Sequence, residues 1–196
     1  MRTFGLSEFL FILQAAQWTL ALSAIAFVGG ALLGLVVALS RTSENAAARN
    51  AARVFIQVFQ GTPLLLQLFL IFFGAPVLGF DINPWVAAGV ALVLNSAAFL
   101  AEIWRGCIEA VPRGQWEAAQ ALNLKYVARM RFVVLPQAFK IALPPTVGYM
   151  VQIINNATFQ PLHVFTTVAA LYFVICWPLS LLAARMERKR ARALAR

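Results

Sequence analysis

The chain has 196 residues, 62% of them hydrophobic and only 12% charged, with a mean hydropathy of +0.79. A soluble domain of that composition would expose far too much apolar surface, so the chain is read as a single integral membrane unit. Its net charge of +9 sits beside apolar runs, which points to membrane topology and not to nucleic acid.

Residues 1–17 are mixed. The apolar piece around Phe9–Leu13 is short and is followed by Gln14 and Gln17. A cleaved signal peptide wants a longer apolar centre and a small-residue cleavage site, so this piece is expected to be an interfacial lead-in, with Trp18 near the membrane boundary. A first span is expected over about 18–40, since ~20 helical residues cross the hydrocarbon core. Within it Ala26, Gly30, Gly34 and Ala38 recur at every fourth position, a stripe that lets a second helix approach closely. The next segment, 41–53, sets Arg41, Arg49 and Arg53 against Glu44, and its alanines favour a short cytoplasmic helix.

A second span is expected over about 54–78. Gly61-Thr62-Pro63 interrupts it, and Pro63 should kink the helix because it removes one helical N–H. Polar groups in a membrane helix face protein or water. Gln57, Gln60, Thr62 and Gln67 therefore either line a translocation path or hydrogen-bond a neighbouring helix, and both readings stay open. A turn at 80–84 contains Asp81. A third span follows over about 85–104, with Asn95 and Ser96 near its middle. Asn95 either touches cargo or holds a neighbouring helix, the second being the plainer reading.

The stretch that follows is polar where its flanks are not: Arg105, Glu109, Arg113, Glu117, Lys125, Arg129 and Arg131 all fall within it. It reads as two short helices with a break. Pro112 suits the first turn of a helix. Gln115, Ala118, Ala119 and Leu122 share one small, smooth face, and Asn123 sits where a left-handed helix stop belongs. In the second helix Tyr126, Met130, Val133 and Val134 share an apolar side, and Lys125 and Arg129 share another. A fourth span over about 132–154 should be irregular because of Pro136, Pro144 and Pro145, and irregular backbone at membrane depth must be buried or line a wet cavity. A fifth span over about 164–184 leads into a basic tail, 185–196, expected to be cytoplasmic and in reach of anionic lipid.

The cations test this layout. All Lys and Arg except Arg2 lie in three clusters, at 41–53, 105–140 and 185–196. Five spans with the N-terminus outside put all three clusters on one side, as the positive-inside rule demands; four spans would divide them.

Chemistry is sparse. Cys107 and Cys176 are placed in the loop and in a span, so a disulfide between them is not expected. The lone histidine, His163, has no ligand set around it. No Gly-x-x-x-x-Gly-Lys-Ser/Thr loop occurs, and no nucleophile–base constellation is available. No catalytic residue, metal or cofactor is expected, and an intramembrane enzyme is a poor reading without paired acids at membrane depth.

One spacing carries more. Glu117-Ala118-Ala119, three residues, Asn123, nine residues, Val133, one residue, then Leu135-Pro136 resembles the cytoplasmic Glu-Ala-Ala loop of ABC importer permeases, the polar amino-acid uptake family. That family has Gly where this chain has Asn123 and Ile where it has Val133. Gln60-Gly61-Thr62-Pro63-Leu64 resembles its Arg-Gly-Thr-Pro-Leu, with Gln for Arg; Ala101-Glu102-Ile103, Arg105-Gly106 and Ala142-Leu143-Pro144-Pro145 also fit. The resemblance implies an all-α integral membrane fold of the type I importer permease class, with about five transmembrane helices and a cytoplasmic C-terminus. It implies an interfacial segment 1–17, a permease domain 18–184 that includes a coupling loop 105–135, and a tail 185–196. Expected partners are a separate ATPase subunit, a second permease subunit (the same or a sister chain), an extracytoplasmic amino-acid-binding protein and membrane lipid, in a bacterial inner membrane. ATP hydrolysis falls to the other subunit. Gln115, Trp116, Glu117, Ala118, Ala119, Leu122 and Asn123 would dock the ATPase; the bland alternative is an ordinary basic loop. The pattern departs after the double proline. Family members carry a longer extracytoplasmic stretch there, whereas Gln152–Asn156 runs almost at once into Ala157–Pro161. The alternative to a transporting permease is thus a shortened relative that assembles with an ATPase or a sister permease and moves nothing.

Overall fold

The computed structural model of the chain describes residues 6–157, without the side chains of 6–15, 155 and 157. The expected fifth span, the basic tail, His163 and Cys176 lie outside the described residues. Helices follow in the order α1 (Leu6–Arg41), α2 (Ala46–Gly61), α3 (Leu64–Val77), α4 (Pro84–Glu109), α5 (Arg113–Ala121) and α6 (Tyr126–Arg129), then a π-helical turn (Met130–Val134) and α7 (Leu135–Ala157). Among the described residues there is no strand.

The small-residue stripe makes the central contact. Ala26 and Ala38 are fully buried. A Cβ added to Gly30 would stand 2.6 Å from the Ser96 Cβ, and one on Gly34 would stand 3.0 Å from the Ala97 carbonyl oxygen. Here α1 meets α4 nearly backbone to backbone, as expected for helices that associate in lipid through small residues. The Trp18 and Trp85 rings lie 5.0 Å apart at one end of this pair, and Ala38 and Ala101 share a core cluster at the other. The two helices are therefore parallel. By contrast α7 is antiparallel to α4: Trp104 Nε1 donates to Thr146 Oγ1 at 2.8 Å, Phe99 stacks on Tyr149 at 5.5 Å, and Leu92 shares a cluster with Ile153.

Parallel neighbours need a return path, which α2 and α3 supply. The expected single kinked span over 54–78 is two helices bent by 102°. Thr62 (φ −111°, ψ 139°) and Pro63 (φ −58°, ψ 137°) are both extended. The proline ring pushes the preceding residue out of the helical region and offers no N–H of its own, and two extended residues in succession turn the chain instead of kinking it. The expected short helix of 41–53 is the first part of α2. Asn45 Oδ1 caps it, accepting from the N–H of Ala47 at 2.9 Å and of Ala48 at 3.4 Å.

Other boundaries also moved. The backbone of α1 runs unbroken through Trp18, so the lead-in is continuous with the span; the stretch of membrane-crossing length and apolarity begins at Ala16. Pro144 and Pro145 sit inside an unbroken α7. The irregularity expected of them lies upstream, where the Leu135 N–H reaches back to the Met130 carbonyl. Pro136 has no N–H to give to Phe132, and a π turn just ahead of it relieves the clash of its ring with that carbonyl.

Among the described residues two helices are long and apolar enough to cross a membrane, and a third crossing follows if the bent α2–α3 pair is one span. Lys140, Gln152 and three prolines dilute α7, whose buried side (Ala138, Ala142, Tyr149, Ile153) faces protein. The outer face of α1, with Ile25, Val28, Leu32 and Val36, is exposed; in water such a face would drive aggregation, and in lipid it is solvated.

Candidate functional site

The polar loop closes as a compact unit at the end of the bundle where α1 and α4 both finish. Asn123 adopts φ 57°, the left-handed stop expected of it. The Asn123 N–H bonds the Gln120 carbonyl at 2.9 Å, and the Leu124 N–H bonds the Ala119 carbonyl at 3.2 Å. Those bonds satisfy the last carbonyls of α5 and aim the chain into α6. Beneath the loop, Ile108, Val111, Met130, Val134 and Ala138 form one apolar cluster, with Trp116 and Tyr126 packed at its edge.

The residues singled out from the resemblance divide by exposure. Gln115, Glu117, Ala118, Leu122 and Asn123 are exposed, while Trp116 is half-buried and Ala119 is 2% exposed. The face drawn through Gln115, Ala118, Ala119 and Leu122 is therefore not one surface: Ala119 is its inward edge, and only the others can meet a partner. Gln115 Oε1 accepts from Gln137 Nε2 at 3.1 Å, which fixes the start of α5 over α7.

Three contacts that the sequence reading did not anticipate hold this loop in place. Tyr126 donates its hydroxyl to the Thr42 carbonyl at 2.8 Å. Arg129 Nη2 pairs with Glu44 Oε1 at 3.1 Å. The Arg129 guanidinium also lies over the Trp116 ring at 5.7 Å and the Tyr126 ring at 5.8 Å. The usable signal was the three-residue spacing of Tyr126 and Arg129, which puts them on one face; the partners lie more than eighty residues away in sequence. At the foot of α4, Arg105 pairs with both Glu102 and Glu109. These are local helix pairs of small energetic weight.

A second polar site lies at the α2–α3 elbow. Gln67 is buried, and its Nε2 lies 2.8 Å from the Phe59 carbonyl, 2.9 Å from the Thr62 carbonyl and 2.9 Å from Thr62 Oγ1. Asn95 is buried beside it, with Nδ2 3.3 Å from the Phe59 carbonyl and 3.5 Å from Gln67 Oε1. Gln60 Nε2 donates to the Ala98 carbonyl at 3.2 Å, and the Thr62 hydroxyl donates to the Val58 carbonyl at 2.8 Å. The break leaves the last carbonyls of α2 without helical partners, and Gln67 and Asn95 supply the donors. Of the two readings left open, interhelical bonding describes what Gln60, Gln67 and Asn95 do with their amides. Gln57 stands apart, exposed on α2.

A substitution tests this. Gln67→Leu strands the Thr62 carbonyl, leaves the Phe59 carbonyl only its 3.3 Å contact with Asn95, and should cost about 1–3 kcal/mol. Thermal melting of the purified chain in detergent should show a clear drop, matched by Gln67→Met. Unchanged melting would mean that water reaches the elbow and replaces the amide.

Residues 30–163 match the family described as binding-protein-dependent transport system inner membrane component. The chain is 36% identical over 154 residues to a probable amino-acid ABC transporter permease, YckA, of Bacillus subtilis, covering 79% of this chain and 68% of that protein. It is 31% identical to the L-cystine transport system permease TcyB of the same organism, covering 91% and 86%. That alignment runs over 201 positions, more than the 196 residues of this chain, so it includes positions that this chain lacks. A chain from a crystal structure of an amino acid ABC transporter with histidines superposes with a TM-score of 0.83 at 31% identity, covering 96% of this chain and all of that one.

Proposed function

Since the chain belongs to the binding-protein-dependent transport system inner membrane components, as a permease of the amino-acid ABC transporters in which a separate subunit hydrolyses ATP, we propose that it couples to that ATPase through the loop 105–135. The observation that carries the reading is the folded loop. Its Glu-Ala-Ala spacing ends in a left-handed Asn123, and Gln115, Glu117, Ala118, Leu122 and Asn123 stand exposed on the α5 side.

In this reading the chain is a multi-pass protein of the bacterial inner membrane with five spans, its N-terminus outside and its basic tail inside. Residues 1–17 lie at the interface and 18–184 form the permease domain. The 41–53 and 105–140 cation clusters fall on one side, because α1 and α4 are parallel and Arg129 reaches Glu44; the positive-inside rule makes that side cytoplasmic. A second permease chain completes a pathway, and an extracytoplasmic binding protein delivers a polar amino acid. Gln60 and Thr62 border the path at the elbow and Gln57 borders it farther back on the exposed side of α2, with Gln67 and Asn95 as supports of the elbow. ATP binding and hydrolysis then shift the populations of inward-open and outward-open forms through the loop.

A shortened relative that assembles but does not transport is the second reading. It is favoured by the rapid passage from Asn156 to Pro161 and by the alignment positions that this chain lacks relative to TcyB. Vesicles holding this chain, its ATPase and its binding protein separate the two. Amino-acid-stimulated ATP hydrolysis with uptake is expected of the permease. Hydrolysis and uptake that return only when the 157–161 connection is lengthened to the relatives' size would establish the second reading.

A further inference from the structure

The loop does not sit on the bundle through apolar contact alone. It grips one particular turn, residues 42–45, which joins α1 to α2. That turn is held from both sides. On one side Arg49 of α2 donates to the Ser43 carbonyl at 2.9 Å and to the Glu44 carbonyl at 3.3 Å, while Asn45 caps the same helix. On the other side Tyr126 takes the Thr42 carbonyl at 2.8 Å and Arg129 takes the Glu44 carboxylate at 3.1 Å. The Arg129 side chain is only 14% exposed, and its Nε is buried without a hydrogen-bond partner. The Glu44 side chain is 71% exposed, so water shares in compensating this pair and its energetic weight is modest; Arg129 is held in place by the Trp116 and Tyr126 rings beside that contact.

From the turn, α2 runs 16 residues to the elbow at Thr62-Pro63. Capped at its start and unbroken over those residues, it joins the turn to the elbow as one helical element. Its far end is the place where Phe59 and Thr62 meet Gln67 and Asn95. A connected line of bonds thus runs from α5, through Trp116 and Arg129, to Glu44, along α2 and into the polar elbow at membrane depth.

We infer that Arg129 and Tyr126, gripping the Thr42–Glu44 turn, are positioning residues that carry movement of the docked loop to α2 and so to the elbow. The inference rests on the docking reading above and adds the direction in which the signal leaves the loop: into α2, in addition to the direct chain connections to α4 and α7. The grip adds directional polar bonds to the packed apolar cluster beneath the loop, and measured coupling is what tests it.

Two mild variants test it. Tyr126→Phe removes one hydroxyl, and Glu44→Gln removes one exposed charge; neither opens a cavity. Both are assayed in vesicles with the ATPase and the binding protein, for ATPase retention on the purified complex and for amino acid moved per ATP hydrolysed. Retention within about twofold of the parent chain is expected, with a fall of about tenfold in amino acid moved per ATP, the size of a typical coupling between sites. The two bonds hold the same turn, so the double variant should fall by less than the product of the two single effects. Parental transport per ATP in both single variants overturns the inference. Loss of the ATPase in either also overturns it, because the pair would then build the docking surface, and the docking reading itself would stand. An Ala118→Arg chain run alongside reports on docking separately: if it retains the ATPase, docking at this loop fails and the inference falls with it.

Discussion

An Ala118→Arg chain is expected to reach the membrane folded and to lose its ATPase subunit on purification. Ala118 and Ala119 are adjacent, yet the structure sends them in opposite directions. Ala118 is exposed on α5, while Ala119 is 2% exposed, on a helix that packs against the π turn. A long cation at exposed position 118 can extend into solvent but must enter whatever cleft receives α5. Overpacking of such a contact costs about 1–3 kcal/mol, or up to roughly a hundredfold in affinity. The same residue at 119 would have to push α5 off the bundle, so Ala119→Arg should lower the melting temperature of the isolated chain as well. Pull-down of the ATPase with each variant, beside melting curves of each variant alone, tells docking from folding. Full ATPase retention by the 118 variant would leave the loop as an ordinary basic connection.

Replacing Gly30 should damage the fold more than any surface change. Even Gly30→Ala places its Cβ 2.6 Å from the Cβ of Ser96, inside contact distance of a residue that is 2% exposed. Neither backbone can yield without parting α1 from α4, the contact that sets their parallel register. Overpacking at such a site costs about 1–3 kcal/mol for one methyl, and Gly30→Leu should leave little folded chain. Gly148→Ala makes the opposite test with the same chemistry. A Cβ there meets nothing within 4 Å, and alanine in a helix is favoured over glycine by about 0.5–1 kcal/mol, so that variant should melt slightly higher. Equal effects at the two positions would mean that helix propensity, and not the α1–α4 contact, governs stability.

Patterns of one residue type at one spacing were readable before any coordinate was known. The stripe from Ala26 to Ala38 and the left-handed Asn123 were read from the sequence and are found in the structure; of the apolar side expected of Tyr126, Met130, Val133 and Val134, the cluster holds Tyr126, Met130 and Val134, and Arg129, expected on another side with Lys125, lies over the Tyr126 ring. Each depends on local backbone geometry, which neighbours along the chain decide. The elbow was half legible. Pro63 announced a disturbance, but a kink and a right-angled turn begin with the same missing N–H. What separates them is whether donors beyond the break, here Gln67 five residues after Thr62 and Asn95 36 residues after Phe59, can satisfy the carbonyls that the turn exposes.

The candidate site shows the same division. Composition and charge clustering by themselves determined that this chain lives in a membrane. The Glu-Ala-Ala spacing by itself singled out the loop for which docking is proposed, because the resemblance is carried by neighbouring residues of one segment. Which alanine of that loop faces outward, and that Tyr126 and Arg129 hold the turn after α1, only the tertiary structure decided. A helix of α5's length can rotate by a fraction of a turn at little local cost, so its orientation is fixed by the surface it lands on. The grip on Thr42 and Glu44 joins residues 84 and 85 positions apart, and their meeting depends on α1 and α4 lying parallel, which in turn depends on the close approach that Gly30 and Gly34 permit.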